Sequence, residues 1–206
     1  MEEVNISNYA MLRGVLSEPP RFSHRNRDER FYRFSLDVCR LSGAVDTIHI
    51  IAREALLAAL APDGGGKLCV AGELRSFNNK SGVGPRLVIT VFARELWFDD
   101  GEDENLIELT GALCKQPNLR VTPLGREICD LMLAVRRRYG RSDYLPCIAW
   151  GSCARAASLW EIGSAVRLTG RIQSRAYLKV ENGETVEKTA YEVSVIRISP
   201  ADGDAE

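Results

Sequence analysis

Apolar and polar residues alternate along much of this chain, which is the period of a β-strand with one buried face. Residues 34–38 show the alternation, and residues 86–96 and 189–198 repeat it. No apolar run approaches the roughly 20 residues that a membrane-spanning helix needs. The pattern therefore predicts an all-β chain of short strands.

Two short segments interrupt the strand pattern and are predicted to be helical. The first covers residues 54–61 and is stopped by Pro62, since proline cannot continue a helix. The second covers residues 153–160, where Ser152 is a suitable N-cap and Gly163 a suitable end. Each half of the chain is thus expected to carry one short helix.

The two halves repeat each other with a period near 97 residues, which indicates tandem domains. Gly72 and Gly170, at the start of the fourth strand of each copy, suit a sharp bend. Five strands with a helix between the third and fourth is the OB-fold pattern, and another small β-barrel is the alternative. The matched segments, in chain order, are 12–16 with 109–113, 34–38 with 131–135, 50–52 with 147–149, and 70–74 with 168–172.

The repeat predicts two tandem OB-fold five-stranded barrels joined by an acidic linker. Residues 1–98 form the first domain, 99–105 the linker, 106–199 the second domain and 200–206 a short acidic tail. The linker contains one glycine and five carboxylates and has no apolar residue, so we expect it to stay solvated.

Charge is distributed unevenly between the two copies, although the whole chain carries a net charge of −1. Residues 104–198 contain 14 Lys and Arg against 10 Asp and Glu, a net of +4. Residues 1–103 contain 13 against 15, a net of −2. The second copy is therefore the better candidate for contact with a polyanion.

The remaining composition argues against several other classes of protein. The N-terminus is acidic where a signal peptide would be basic, so we expect a cytoplasmic, nucleoid-associated protein without membrane contact. The six cysteines form no C-x-x-C pair and only two histidines accompany them, so no metal and no cofactor are expected. Free, buried, reduced thiols are predicted instead. No group of residues has the pattern of a catalytic site, so we expect no enzyme.

Arginines and aromatic residues concentrate on strands of the second copy. Guanidinium groups neutralise phosphates and aromatic faces stack on bases, and neither interaction identifies the base. The same residues could serve as strand packing and as a solvated strand edge. Trp97 and Trp160 are predicted to be packing residues. The candidate nucleic-acid-binding residues are Arg136, Arg137, Arg138, Tyr139, Tyr144, Trp150, Arg171, Arg175 and Tyr177.

Residues 106–198 resemble the bacterial single-stranded DNA-binding protein family over nearly the whole second domain. The resemblance implies that Tyr144, Trp150 and Tyr177 stack on bases. It also implies a tetramer of OB domains, which a chain with two such domains would reach as a homodimer presenting four. The opening motif of that family is matched by Gly111, Leu113, Pro117, Arg120, Thr122 and Gly125.

The first copy departs from the family at the stacking positions. Thr47, Arg53 and Asn79 stand where the second copy has Tyr144, Trp150 and Tyr177, so this copy is predicted to be a diverged domain without most of the platform. It keeps Arg40, with Phe77 and Lys80 nearby. The acidic tail lacks the apolar tip by which the family recruits its partners.

The sequence therefore predicts a protein that coats single-stranded DNA in replication, recombination or repair, with replication or repair proteins as possible partners. One alternative is an accessory OB protein of the primosome type that bridges DNA and a helicase or primase. Another is an OB scaffold that binds only proteins. Salt-sensitive affinity for single-stranded DNA separates the last from the other two.

Overall fold

The computed structural model describes residues 7–60, 65–79, 85–181 and 184–201, with the side chains of residues 179–181 and 184 excluded. Pro62, Lys80, residues 1–6 and residues 202–206 of the predicted acidic tail lie outside these ranges. The chain forms two compact units. The N-terminal unit comprises Tyr9–Arg75 and Ile89–Leu106, and the C-terminal unit comprises Met1–Asn8, Ser76–Val88 and Ile107–Glu206. The linker-based domain boundaries stay a prediction.

Strands account for nearly all of the regular structure. The elements in chain order are β1 (Asn8–Asn26), β2 (Glu29–Cys39), β3 (Val45–Arg53), α1 (Glu54–Ala58), β4 (Lys67–Asn78), β5 (Leu87–Asp99), β6 (Glu104–Leu113), β7 (Asn118–Val121), β8 (Glu127–Arg136), β9 (Ser142–Trp150), α2 (Gly151–Ala157), β10 (Ala165–Glu181) and β11 (Glu184–Pro200).

The first five strands close into a barrel. Their hydrogen-bonded order is β2-β3-β5-β4-β1, and β1 also pairs with β2 to complete the ring. All of the recorded neighbours are antiparallel except β3 and β5, which are parallel. Alternation along β2 places Phe34, Leu36 and Val38 inside, each at most 2% exposed.

The later strands close in the same way. The order is β6-β10-β11-β9-β8, with β6 pairing β8 to complete the ring and β9 parallel to β11. The short strand β7 lies along β8. In both barrels the helix follows the third strand. This closed five-stranded order with one helix is the OB-fold, which confirms the predicted fold class.

Both helices are shorter than predicted. The second begins at Gly151, two residues before the predicted start, and its N-cap is Trp150, with no capping side-chain hydrogen bond. The cap predicted for Ser152 is therefore wrong. Gly163 lies in a later turn with φ 92°, five residues beyond the C-cap Ser158. Because the helix has already ended, Trp160 is half-buried rather than core.

Glycines stand where two strands of one barrel approach closely. A Cβ on Gly72 would collide with the carbonyl oxygen of Phe92, and one on Gly170 with that of Ser194. The ladder between β10 and β11 shifts register between Thr169 and Gly170. These positions therefore exclude any side chain. The predicted place at the start of the fourth strand is wrong, since β4 begins at Lys67 and β10 at Ala165. The irregularity at Gly170 agrees with the predicted bend.

The predicted solvated linker is in part bound to the N-terminal unit. Asp103 is only 16% exposed and its carboxylate lies 2.5 Å from Lys67 Nζ. Its other oxygen accepts a 2.5 Å hydrogen bond from the backbone N–H of Cys39. Arg13 reaches Asp99 at 3.2 Å and Glu104 at 3.6 Å. Lys67 and Arg13 thus offset part of the negative charge of the acidic segment, which composition alone did not indicate.

The other composition-based expectations concern thiols and membranes. All six cysteines are free, as predicted. The predicted burial is found for Cys69, Cys129 and Cys147, but it is wrong for the exposed Cys39, and Cys114 and Cys153 are only partly buried. Burial raises the pKa of the Cys147 thiol far above its usual range. Among the described residues, no helix has the length and apolar character needed to span a bilayer.

Candidate nucleic-acid interface

The third strand of the C-terminal barrel exposes two aromatic rings on its outer face. Along β9 the residues at odd numbers, such as Leu145 and Ala149, point into the core and are fully buried. Tyr144 and Trp150 point outward and are 52% and 36% exposed. The alternation of a strand thus places both rings on one face, six residues apart.

The indole of Trp150 is fixed in place by a neighbouring strand. Its Nε1–H donates a 3.2 Å hydrogen bond to Oγ of Ser194 on β11. Ser194 is buried and lies beside Ile148 in the parallel ladder between β9 and β11. On the other side, Trp150 is paired with Ile128 of β8. The ring therefore has a defined orientation while part of its surface stays open to solvent.

Tyr144 is exposed because its neighbour is small. Its cross-strand partner on β8 is Ala134, whose methyl group covers little of the ring. The backbone N–H of Tyr144 donates a 2.8 Å hydrogen bond to Oγ of Ser76, which belongs to the same compact unit. The backbone at this position is thereby held while the phenol remains accessible.

The arginine run after β8 divides between two environments. Arg136 pairs with Ser142 and is exposed on the outer face, and Arg138 is exposed in the turn that follows. Tyr139 in the same turn is 94% exposed. Arg137 instead turns toward Asp143, a fully buried carboxylate, with Nε 2.7 Å from Oδ2. Its second guanidinium nitrogen contacts Oδ1 of the same residue.

The remaining candidates, Arg171, Arg175 and Tyr177, lie on one face of β10, since two or four residues separate neighbouring members. Arg171 is the ladder partner of Ser194, so Ile148, Ser194 and Arg171 form one row across three strands. Arg175 is 55% exposed, with its Cζ 5.9 Å from the ring centroid of Tyr177 and its Nε 3.7 Å from Glu192. The sheet order β9-β11-β10 therefore carries the aromatic and basic residues on one continuous face.

Arg171 has a distinctive polar environment. Its Nε is buried and has no hydrogen-bond partner among the described residues. The rest of the side chain is partly exposed. A buried donor without a partner is unfavourable, so an anionic oxygen would satisfy it well.

Three polar residues on this outer face, Arg120, Asp130 and Ser194, are not among the predicted nucleic-acid-binding residues. Arg120 on β7 holds Asp130 on β8 with two contacts, at 2.5 Å and 3.0 Å. Ser194 positions the indole of Trp150. Only strand pairing brings these groups to the face, and Arg120 had entered solely through the opening motif.

Trp97, predicted to be packing, lies within β5 of the N-terminal barrel and is 36% exposed.

We found no group of three or more His, Cys, Asp and Glu that could hold a metal ion within the part of the chain that the structure describes. The groups that the face offers are guanidinium ions, aromatic rings and hydroxyls. Such groups bind by charge, stacking and hydrogen bonding.

The chain is similar to known proteins in both sequence and fold. The model of the single-strand binding protein family matches residues 104–200. Single-stranded DNA-binding protein B of Bacillus subtilis is 36% identical over 96 residues, which are 43% of this chain and 82% of that protein. Single-stranded DNA-binding protein 2 of Listeria innocua is 36% identical over 80 residues, 35% of this chain and half of that protein.

Solved structures match almost the whole chain. The wild-type single-stranded DNA binding protein from Thermus aquaticus aligns with 97% of this chain and 95% of its own, with a TM-score of 0.73 and 22% identity. A deletion mutant of the same protein gives a TM-score of 0.76 at 20% identity, covering 97% and 96%. At this identity the likeness concerns the fold, which includes both barrels. With the family match and the Bacillus relative, these findings show that the chain belongs to the single-strand binding protein family.

Proposed function

We propose that this chain binds single-stranded DNA without sequence preference through the outer face of its C-terminal barrel. We call this surface the stacking face. The observation that carries the proposal is the position of Ser194, which fixes the indole of Trp150 by a hydrogen bond and is the ladder partner of Arg171, whose buried Nε has no partner among the described residues. The stacking face comprises Arg136, Arg138, Tyr139, Tyr144, Trp150, Arg171, Arg175 and Tyr177.

The chemistry of the stacking face suits a single strand rather than a duplex. Unpaired bases can lie flat on Tyr144 and Trp150, and each such stack contributes roughly 1–3 kcal/mol. The arginines neutralise phosphates and release counterions, which makes binding salt-dependent. Stacking and phosphate contacts ignore base identity, so tolerance of sequence follows. The names of the Bacillus and Listeria relatives support the same ligand.

Arg137 takes a separate place in this proposal. Its guanidinium is already engaged by the buried carboxylate of Asp143, so we assign it to holding the β8–β9 turn. Arg136 and Arg138, on either side, are exposed and are the better phosphate ligands of the run. The turn then presents two cations and Tyr139 at one end of the face.

We further propose that the chain assembles as a homodimer that presents four OB barrels to the strand. Two barrels in one chain of 22.9 kDa support this, because a strand wound over several barrels needs them in one particle. Such a particle would act where single strands arise in replication, recombination or repair. Sedimentation equilibrium at several concentrations tests the assembly, and a stable mass of one chain would exclude the homodimer.

Intrinsic fluorescence titrated with oligo(dT), at low and at high salt, tests the stacking face directly. We expect strong quenching that weakens with salt, since a base stacked on Trp150 quenches the indole and phosphates bind the arginines. In Trp150→Ala most of the quenching should disappear, and the dissociation constant should rise about 5- to 150-fold.

The matched control is Trp160→Phe, since Trp160 is half-buried and follows α2, outside the strands β9 and β10 that carry Trp150 and the other stacking residues. It should retain the quenching. A wild-type protein that neither changes its fluorescence nor retains the oligonucleotide at low salt would exclude the proposed function.

A further inference from the structure

The outer face of the N-terminal barrel carries aromatic and basic residues in a different arrangement from that of the C-terminal barrel. At the place of Trp150 stands Arg53, whose cross-strand partner on β2 is Phe31. The corresponding pair in the C-terminal barrel is Trp150 with Ile128. The ring has therefore moved to the neighbouring strand, and the guanidinium has taken the place of the indole.

A second ring comes from β5. Phe92 lies beside Ile51 in the parallel ladder, the position that Ser194 occupies beside Ile148 in the other barrel. The rings of Phe31 and Phe92 lie 6.0 Å apart at 41°. The imidazole of His24 stacks on the ring of Phe31, with centroids 4.8 Å apart and an interplanar angle of 6°. Three rings thus form a continuous row.

Two arginines lie over this row. The Cζ of Arg94 is 5.0 Å from the ring centroid of Phe92, and that of Arg53 is 5.7 Å from it. Both side chains are about 40% exposed. Each also contacts a carboxylate, Arg53 with Glu29 at 3.3 Å and Arg94 with Glu73 at 3.0 Å. The ring and the carboxylate together restrict each guanidinium to one orientation.

Each guanidinium keeps donors for a ligand. An arginine has five N–H groups, and at most two of them are directed at a carboxylate oxygen here. Arg33 adds a third cation on the same face, exposed and paired with Ile51 across β2 and β3. The three rings therefore support cations that are fixed and face outward. Phe31 itself is only 5% exposed, so it offers little surface on which a base could stack.

We propose that Arg33, Arg53 and Arg94, supported by the rings of His24, Phe31 and Phe92, form a second contact surface for the phosphates of single-stranded DNA. We call it the arginine surface. The inference rests on the proposed function, because the strand that reaches it is the one bound at the stacking face. It assigns to the diverged barrel a phosphate-binding role and to the other barrel the stacking of bases.

The test compares two lengths of oligo(dT) on the full chain. An OB barrel covers about 4–16 nucleotides, so an oligonucleotide of about 12 fills the stacking face and one of about 60 reaches the other barrels as well. The variant is Arg53→Gln with Arg94→Gln, in which the amides can still reach Glu29 and Glu73. For the long oligonucleotide, the slope of log affinity against log salt should become shallower by about 1.4, the loss of two phosphate contacts.

The same variant should bind the short oligonucleotide as the wild type does, with the quenching of Trp150 unchanged. Arg53→Lys with Arg94→Lys, which keeps both charges, should retain the wild-type slope. The charge-matched control is Arg25→Ala with Arg27→Ala, at the exposed end of the β1–β2 hairpin. It should leave the slope unchanged.

Three results would overturn the arginine surface. They are an unchanged slope in the glutamine variant, a similar loss in the hairpin control, and a similar loss in the lysine variant. The second would show that only the net charge of the barrel matters, and the third that the substitutions disturb the fold. Failure of the proposed function itself is distinct, since the wild type would then show no quenching with either oligonucleotide.

Discussion

Arg137 and Asp143 form an ion pair in which the carboxylate is completely buried and the guanidinium contacts both of its oxygens. The backbone N–H of Ser76 donates a further 2.6 Å hydrogen bond to Oδ1. The repeat carries the same pair in the N-terminal barrel, where Arg40 reaches the buried Asp46 at 2.6 Å and 2.5 Å. A buried carboxylate needs such partners to remain charged.

Arg137→Ala should therefore act on stability rather than on phosphate binding. Removing the cation leaves an uncompensated buried charge, and the free energy of unfolding should fall by about 3 kcal/mol. Urea unfolding followed by circular dichroism measures this. Arg138→Ala, one residue away and exposed, is the matched control and should change stability little while making the salt slope of DNA binding shallower. The opposite pattern would contradict the assignment.

Gly111→Ala should destabilise the C-terminal barrel. A Cβ at this position would lie 2.5 Å from the backbone carbonyl oxygen of Ala134 on β8, and a backbone atom in a barrel cannot easily move away. We expect a loss of about 2 kcal/mol in the free energy of unfolding. Gly65→Ala is the control, since a Cβ there meets nothing within 4 Å. Equal stabilities of the two variants would refute the close approach.

Acidification should destabilise the N-terminal barrel through His49. Burial is the main reason that the pKa of His49 lies below 6.5, with Arg33 adding to the effect and Glu18 opposing it. The unfolded chain then binds the proton more readily, so stability is complete above pH 6.5 and declines as the pH falls toward the folded pKa. The melting temperature, followed from about pH 7.5 down to about pH 5.5, measures the decline.

His49→Gln should flatten this dependence, because the amide does not titrate and can still meet Ser35, whose Oγ lies 3.1 Å from His49 Nδ1. His24→Gln, on the exposed hairpin, should keep the decline. A decline of equal size in both variants would show that other groups are responsible.

Asp103→Ala should release the segment that joins the last strand of the first repeat to the second. Burial disfavours the charge of Asp103, but hydrogen bonds from Lys67 and from the N–H of Cys39 outweigh it and lower the pKa. Without them, proteinase K should cut residues 99–104 several times faster, as mass spectrometry of timed digests would show. Glu102→Ala is the control, since its backbone carbonyl still accepts from Arg13. Equal rates would mean that Asp103 does not hold the segment.

Much of the architecture could be predicted because it follows from periodicity. The alternation along residues 34–38 and the matched segments of the repeat were enough to predict the order of strands and helix along the chain, and from it the fold class. The outward direction of Tyr144 and Trp150 also follows from counting along one strand. The ends of the helices were harder to predict. Ser152 has the side chain of an N-cap, but the helix begins one residue earlier, at Gly151, directly after β9. Gly151 has a φ of 53°.

The features that escaped prediction depend on neighbours distant in the chain. Three consecutive arginines do not reveal that Arg137 alone meets a buried carboxylate, because the turn that brings Asp143 back sets that contact. The sequence predicted few binding residues in the diverged barrel, because the prediction rests on matching each position of the first copy to the second. Its rings, Phe31 and Phe92, come from other strands than Trp150 does, so only the assembled sheet shows them together.

The place of Ser76 has a consequence for how this chain could change by deletion. Ser76 lies in the first repeat, yet it belongs to the C-terminal compact unit and bonds Asp143, Arg137 and Tyr144 there. A truncated chain that kept only residues 106–206 would lose these bonds, although it would retain every strand of the second barrel. The second barrel is thus complete in its strands but not in its side-chain bonds, since a segment of the first repeat supplies the partners of Asp143, Arg137 and Tyr144.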